Sequence, residues 1–276
     1  SNMNETATII LNRNLPKVTD QLYKNLKKHN KRIDIFVVEA GSDEKNLSKY
    51  TTWHANWEDA KKNGLRYGRG FNFALSNLYK EKKFGNYDAY IFLTNDTYLK
   101  NYKVENKITQ IFKKHKKLAI LSPCSNNWGE KKIINNIEKL KYFWYIHNNA
   151  YIIKTSFLDE IKNLDQPGHI NFIFDGNNFR GYGLESELIM KAYANDKAAA
   201  ITTDIIAEEN ENYLLKFSKE IKTENYDKNL DLYVKEGMDW MQKKYGFRSK
   251  WSMQMFVKVF YDKFFTTNNT LKKYKL

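Results

Sequence analysis

Apolar, β-branched runs alternate with segments of helical periodicity through the first two thirds of the chain. Thr6 to Leu11, Ile33 to Glu39, Ala89 to Thr94 and Leu118 to Ser122 read as strands, each a short apolar run bounded by polar residues. Between them, Val18 to His29, Phe71 to Lys83 and Val104 to His115 repeat apolar positions at helical spacing. The pattern predicts a further strand from Trp144 to Ile153, a helix from Leu184 to Ala194 opened by Gly181-Tyr182-Gly183, and a strand from Ala198 to Ile206. This order implies an α/β fold built of βαβ units around a mainly parallel sheet. Ligands in such sheets sit beyond the carboxyl ends of the strands. Asn12 and Arg13, Glu39 to Ser42, and Thr94 to Asp96 are therefore predicted to converge. After Tyr213 the composition shifts to long helices rich in Lys, Trp, Met and Phe, which places a boundary between an α/β domain over 4–212 and a basic helical extension over 213–276.

Composition narrows the partners. A chain of 276 residues that is 42% hydrophobic can bury a substantial core. Ser1-Asn2-Met3 reads as a cleavage scar ahead of an initiator methionine and is set aside. Nothing after it resembles a signal peptide, and no apolar run approaches the roughly 20 residues that span a bilayer. The lone Cys124 has no second thiol or His cluster beside it, which argues for buried filler in a reducing cytoplasm rather than a disulfide or zinc site. The formal charge of +14 favours an anionic partner such as phosphate esters or anionic lipid, unless it reflects genome composition. Nucleic acid is not the expected partner, because the basic residues are spread along the chain and no recognised binding motif appears.

The most informative segment is Tyr87-Asp88-Ala89-Tyr90-Ile91-Phe92-Leu93-Thr94-Asn95-Asp96-Thr97. A hydrophobic strand ending in a polar triplet holds Asp96 at a rigid sheet edge. There it can ligate a hard divalent cation, which typically takes one or two protein carboxylates plus substrate phosphate oxygens, or it can merely cap the next element.

Several segments together resemble the inverting glycosyltransferase family 2 on the GT-A fold, especially its rhamnosyltransferase-like branch. Thr8-Ile9-Ile10-Leu11-Asn12-Arg13-Asn14 is similar to the opening strand of that family, and Ile35-Phe36-Val37-Val38-Glu39-Ala40-Gly41-Ser42 to its Val-Asp-Asn-Gly-Ser motif. Gly64-Leu65-Arg66-Tyr67-Gly68-Arg69-Gly70-Phe71-Asn72 resembles the glycine-rich segment entering a helix. Leu93-Thr94-Asn95-Asp96-Thr97 resembles a version of the Asp-x-Asp metal motif, and Gly181-Tyr182-Gly183-Leu184-Glu185-Ser186-Glu187-Leu188 the acidic motif that carries the catalytic base. Five such pieces in order form a fairly specific signal. The sequence departs from the pattern at Glu39, which replaces Asp, at Thr94, which replaces the first metal-motif acid, and at Gly64 and Arg66, which replace Asn and Gly. Ala207-Glu208-Glu209 stands where relatives place a metal-binding His.

The resemblance implies a metal-dependent enzyme that moves a sugar from a nucleotide-diphosphate donor to an acceptor hydroxyl, with Mn2+ or Mg2+ held by Asp96, with Glu208 as a substitute ligand. Asn12, Arg13, Glu39, Gly41, Ser42, Asn72, Thr94 and Asn95 fall on its donor-binding motifs. Arg66 and Arg69 either meet the donor phosphates, which suit bidentate guanidinium contacts, or are a solvated surface pair. Glu185 is the expected general base, with Glu187 the alternative; equally, both acids can simply favour a helix N-terminus. His147-Asn148-Asn149, in the aromatic stretch after Phe143-Trp144-Tyr145, either lines the acceptor site or is core, and Glu187 is a further acceptor candidate. The acceptor implied is a saccharide or lipid-linked saccharide in bacterial surface polysaccharide or glycolipid synthesis. A relative that binds nucleotide-sugar without catalysis is the alternative, given Thr94 and the missing His.

In the tail, Trp251, Met255, Phe256, Val259, Phe260 and Phe264 recur at helical spacings with Lys250, Lys258 and Lys263 between them. Such a helix can lie on an anionic membrane surface, which would make the protein peripheral at the inner face of the cell membrane. It can equally pack on the catalytic domain or on a second subunit in a homo-oligomer.

Overall fold

The computed structural model describes residues 5–148, 150–210 and 212–276. Residues 1–3, expected to be a cleavage scar, and Asn149 lie outside the described residues. The first apolar run is β1 (Thr6–Asn12), buried at every position. A strand covered on both faces is apolar at successive positions, which is why its sequence does not alternate. Pro16 opens α1 (Pro16–His29), where its missing N–H has no helical partner to lose. β2 (Ile33–Glu39) runs parallel to β1 with Asn12 opposite Glu39. β3 (Thr51–His54) extends the sheet beyond β2. After α2 (Glu58–Asn63) and α3 (Arg66–Lys80), the chain returns as β4 (Ala89–Thr94) on the other side of β1, with Thr94 opposite Leu11. The polar strand ends thus meet at one sheet edge.

The helix expected from Phe71 begins earlier, at Arg66, and takes in the glycine-rich segment. A Cβ at Gly70 would stand 2.8 Å from Leu11 Cδ1, and one at Gly68 2.8 Å from Leu184 Cδ1. Close packing against Leu11 of the sheet and against Leu184 therefore outweighs the cost of glycine inside a helix, about 1 kcal/mol each.

The second half of the sheet is mixed. β5 (Thr97–Leu99) and α4 (Glu105–Lys114) lead into β6 (Leu118–Cys124). Of the strand expected from Trp144 to Ile153, only the last residues are in a strand, β8 (Tyr151–Lys154), while β7 (Leu140–Tyr142) precedes the expected span. β7 pairs with a later strand, whereas β8 inserts antiparallel between β4 and β6, so the intervening chain must leave the sheet to cross over. α5 (Thr155–Ile161) and α6 (Leu184–Ala194) precede β9 (Ala198–Glu209), which runs parallel to β6 and antiparallel to β5 and β7. The sheet order is β3-β2-β1-β4-β8-β6-β9-β5.

α7 (Tyr213–Phe217), α8 (Tyr226–Tyr245) and α9 (Lys250–Thr267) complete the chain. Met241 of α8 and Met253, Val257, Tyr261, Phe264 and Phe265 of α9 are buried in the same contiguous core as the sheet. Of the six apolar tail residues singled out by spacing, Phe264 is buried, whereas Trp251 and Val259 are 67% and 61% exposed. The inward face is thus offset from the one expected, because α9 packs on α6. Among the described residues, no helix is long and apolar enough to cross a membrane.

Gly41, just past β2, has φ +97°, and a Cβ there would lie 1.9 Å from the Ala60 carbonyl oxygen. Gly41→Ala is therefore expected to lower stability by about 2–3 kcal/mol, from the left-handed backbone and the clash together. Denaturant unfolding with an unchanged slope would show it, and a loss below about 0.5 kcal/mol would mean that α2 yields freely.

Candidate active site

A cavity of about 540 Å³ opens at the carboxyl edge of β1 and β4, and Arg13, Arg66, Tyr67, Asp96, Glu209 and Tyr213 are among the residues that line it. Its frame is set by Glu39, which is wholly buried. The Glu39 carboxylate accepts hydrogen bonds from Asn12 Nδ2 (2.7 Å), Ser42 Oγ (2.8 Å), the Ser48 amide (2.9 Å) and Thr51 Oγ1 (2.6 Å). That set of donors is what makes a buried acid without a cation tolerable. Asn12 Oδ1 in turn accepts from Asn95 Nδ2 at 3.0 Å, so the ends of β2, β1 and β4 are tied in series. Glu39 and Ser42, expected on donor-binding motifs, are thus the frame beneath the cavity rather than its lining. Asn72 is likewise wholly buried: its side chain donates to the His169 and Phe174 carbonyls and accepts from the Ile173 and Phe174 amides. Its job is to hold the 169–174 loop on α3.

Asp96 follows β4 and faces the cavity. Burial pushes its carboxyl above the usual carboxylate range, against the opposing effect of the Thr94 hydroxyl that donates to it. Glu209 stands opposite Thr97 in the β5–β9 pair and lines the same cavity. The expected second ligand, Glu208, alternates to the other side of β9, where its carboxylate accepts from Ser125 Oγ (2.7 Å) and the Asn126 amide (2.5 Å). The acid that accompanies Asp96 is therefore Glu209. Tyr213 completes this side with a buried hydroxyl that has no partner among the described residues.

Arg13 and Arg66 supply the opposite charge. Burial and the neighbouring Arg66 charge bring the Arg13 guanidinium down to about 10, against a smaller opposing pull from Asp43. Burial and the Arg180 charge bring Arg66 to about 10, against Glu224 and Glu236. Arg13 Nη2 donates to the Lys61 carbonyl at 2.8 Å, and its buried Nε has no partner among the described residues. Two half-buried guanidiniums facing one cavity have the chemistry that suits an anion, although Arg66 also lies 3.7 Å from the Glu224 carboxylate. Arg69 is turned away: its Nε donates to the Gly176 carbonyl at 2.8 Å, and the guanidinium lies 4.9 Å from the Phe179 ring centroid.

The segment from Tyr213 to Tyr226 closes the cavity, with Leu214, Ile221 and Thr223 on its inner side. It is anchored by Asn14 Nδ2 to the Glu220 carbonyl (2.8 Å), by Lys222 to Asp43 (2.6 Å) and by Arg66 Nη2 to Thr223 Oγ1 (2.8 Å). Glu224 pairs with Arg180 at 2.7 Å. Burial resists ionisation of Glu224, but its backbone hydrogen bond and the Arg180 charge outweigh that and bring the carboxyl down from 4.5 to about 2. A depressed carboxyl stabilises the fold above its unfolded value, and that contribution is lost as pH falls from about 4.5 to about 2. Glu224→Gln is therefore expected to lower stability at neutral pH and to flatten the acid limb in that interval. An unchanged limb in pH-dependent unfolding would show that the pair contributes nothing.

The two acids of the Gly181-Tyr182-Gly183 helix entry diverge, as their spacing requires. Glu185 is 20% exposed, and its Oε1 accepts from Lys250 Nζ at the start of α9. Glu187 is 2% exposed and is bonded by the Tyr245 hydroxyl and by Lys244 at 2.8 Å. Neither Glu185 nor Glu187 is among the residues that line the cavities described here, and Glu187 forms a tether that docks the end of α8. Tyr67 links Glu185 to the main cavity: burial, with Glu209 and Glu185 nearby, holds its phenol well above its ordinary value, so it stays protonated.

A second cavity, about 290 Å³, lies at the carboxyl end of β6 and is lined by Trp128, His147 and Asn148 among others. His147, for which a core position was the alternative, is exposed at its rim. Asn148 Nδ2 donates to the Ala207 carbonyl at 3.1 Å.

Tyr213, Thr223 and Arg180 carried no motif signal, and Tyr67 and Glu209 lay inside motif segments in which other residues drew the expectation. Arg66 and Thr223, for instance, meet across 157 positions of sequence, and no local pattern records such a pairing.

No protein-family model and no curated protein matches the sequence. Solved structures of glycosyltransferases match the fold. The mannosyltransferase PcManGT from Pyrobaculum calidifontis, in complex with GDP-Man and Mn2+, is 10% identical with a TM-score of 0.53, over 99% of this chain and 81% of that one. Glucosyl-3-phosphoglycerate synthase from Mycobacterium tuberculosis, with Mg2+ and UDP, is 8% identical with a TM-score of 0.52, over 89% and 81%. GalNAc-T7 with UDP, GalNAc and Mn2+ is 10% identical with a TM-score of 0.53, over 99% and 58%. These likenesses do not single out the rhamnosyltransferase-like branch. With its mixed central sheet flanked by helices and its helical C-terminal region, the chain has the GT-A fold.

Proposed function

We propose that this protein is a metal-dependent glycosyltransferase that moves a hexosyl or deoxyhexosyl unit from a nucleotide-diphosphate donor to a hydroxyl of a saccharide or lipid-linked saccharide. The observation that carries this reading is the charge arrangement of one cavity: Arg13 and Arg66 face it as half-buried cations, and Asp96 and Glu209 line it as acids. A diphosphate with a bound divalent cation complements both at once. Solved structures that share the fold hold nucleotides with Mn2+ or Mg2+, which supports it.

Among the described residues, no cluster of three or more His, Cys, Asp or Glu could hold a metal alone. Asp96 and Glu209 fit a hard cation that completes its oxygen shell with phosphate, the usual manner for magnesium and manganese. Bound there, the metal would supply Lewis-acid stabilisation of charge on the departing diphosphate. Arg13 and Arg66 hold the phosphate oxygens, and the closing segment excludes water from them. Glu185 accepts the acceptor hydroxyl proton as its oxygen bonds to the anomeric carbon; the bond from that carbon to the diphosphate breaks, with inversion, and the nucleoside diphosphate leaves. Lys250 on Oε1 steadies the carboxylate and leaves Oε2 to take the proton.

The test is thermal stabilisation by UDP-, GDP- and dTDP-sugars with and without manganese. One donor class is expected to stabilise the protein in a manganese-dependent way, and Arg13→Ala to weaken its binding about 10- to 100-fold, the worth of a charge-assisted phosphate contact. If no nucleotide-sugar stabilises the wild type under either condition, the reading fails.

A further inference from the structure

The second cavity differs from the first in kind. No Lys, Arg, Asp or Glu lines it, whereas the first presents guanidiniums and carboxylates. Its Cys124 belongs to the same pattern, since burial pushes the thiol up to about 11 and keeps it neutral. An uncharged lining gives no purchase on phosphate, which needs cationic or multiple amide donors. What it offers is ring surface and neutral polar groups. The Trp128 indole and the His147 ring stand 5.6 Å apart at 58°, and Tyr145 packs edge-on to both. Among the described residues, neither ring nitrogen of His147 and no side-chain atom of Asn127 has a hydrogen-bond partner, and the buried Trp128 Nε1–H also lacks an acceptor.

The position is equally specific. Both cavities lie at the carboxyl edge of the sheet, and the last residues of β9 divide them. Glu209 lines the charged cavity; Glu208, one residue earlier and on the other face, caps the Ser125–Asn126 turn that leads into Asn127 and Trp128. Ala207 holds Asn148 on the same side. Successive residues of one strand end thus face the two cavities' surroundings in turn.

We propose that this second cavity binds a neutral pyranose ring of the acceptor, stacked against Trp128 and His147 and hydrogen-bonded by Asn127. Its role as an acceptor subsite rests on the transferase reading; its affinity for a neutral saccharide does not. Aromatic faces take up the apolar C–H surface of a sugar while the flanking amide and imidazole meet its hydroxyls.

Indole NMR on the full 15N-labelled chain tests this, with Trp128→Phe assigning the Trp128 resonance among the 6 tryptophans. The probes are maltose, cellobiose and N,N′-diacetylchitobiose, with inorganic phosphate as the charged control. At least one disaccharide is expected to move the Trp128 signal saturably, and phosphate to leave it in place. His147→Ala and Asn127→Ala alter exposed positions and should each weaken saccharide binding about tenfold while leaving manganese-dependent binding of the stabilising nucleotide-sugar unchanged. The proposal is overturned if no disaccharide moves the signal, if phosphate does, or if both variants bind as the wild type does. Saccharide binding without binding of any UDP-, GDP- or dTDP-sugar would instead sink the transferase reading and leave this site standing.

Discussion

Asp96→Ala is expected to lower kcat/KM for sugar transfer at least about 100-fold and to abolish manganese-dependent donor binding, while the protein remains folded. The size follows from removing one acid of a pair in a cavity with no other acid among the described residues that line it: hard-cation affinity there depends on one or two carboxylates and the phosphates, and electrostatic stabilisation of a leaving group is commonly worth 100-fold or more. The fold should tolerate the change. Burial raises the Asp96 carboxyl, so the folded protein holds its ionised form at a cost that alanine removes. Donor binding and transfer measured across manganese concentrations would check it. If Asp96→Ala transfers sugar as well as the wild type, the metal is not held at β4. If the wild type binds donor in a manganese-dependent way yet neither protein transfers or hydrolyses it, the chain is a nucleotide-sugar-binding relative that has lost catalysis.

Glu185→Gln should lower kcat by roughly 100- to 10,000-fold, the usual weight of a general base, with little change in donor affinity. Glutamine is the informative substitution because its carbonyl oxygen still accepts from Lys250 and keeps α6 and α9 joined, while the ability to take a proton is gone. The split matters more than the total. A loss confined to kcat places Glu185 at the proton transfer; an equal loss of donor binding would make it part of the frame, as Glu187 is. Glu187→Gln provides the contrast: it should reduce stability, because Lys244 and Tyr245 lose their charged partner, and leave the turnover of folded protein nearly intact.

β1, β2 and β4 were legible because each is a short, mostly buried apolar run, and β2 and β4 fall on the residues that those runs mark, whereas β3, with no buried position, has no such run. Asp96 was legible for the same reason, since a strand end is a rigid position. Trp144 to Ile153 misled because aromatic residues that fill a core from a crossing segment have the composition of a strand, and only β8's insertion between β4 and β6 reveals the crossing. Glu208 misled through parity. A strand alternates its faces, and which of two adjacent acids looks into a cavity is set by register, here Thr97 against Glu209.

The sequence by itself determined the layered α/β plan, the shared edge where Asn12, Glu39 and Thr94 end their strands, and the pair of acids at the start of α6. Those are consequences of local hydrophobicity and of positions two to four residues apart. Only the tertiary structure decided that Glu209 and not Glu208 accompanies Asp96, that Glu39 and Asn72 brace the site from beneath, and that residues 213–226 close it. It also decided that Asp96, first read from its strand alone, shares its cavity with Arg13 and Arg66. Each of these depends on side chains distant in sequence meeting at one point, and such meetings are set by packing of the whole core.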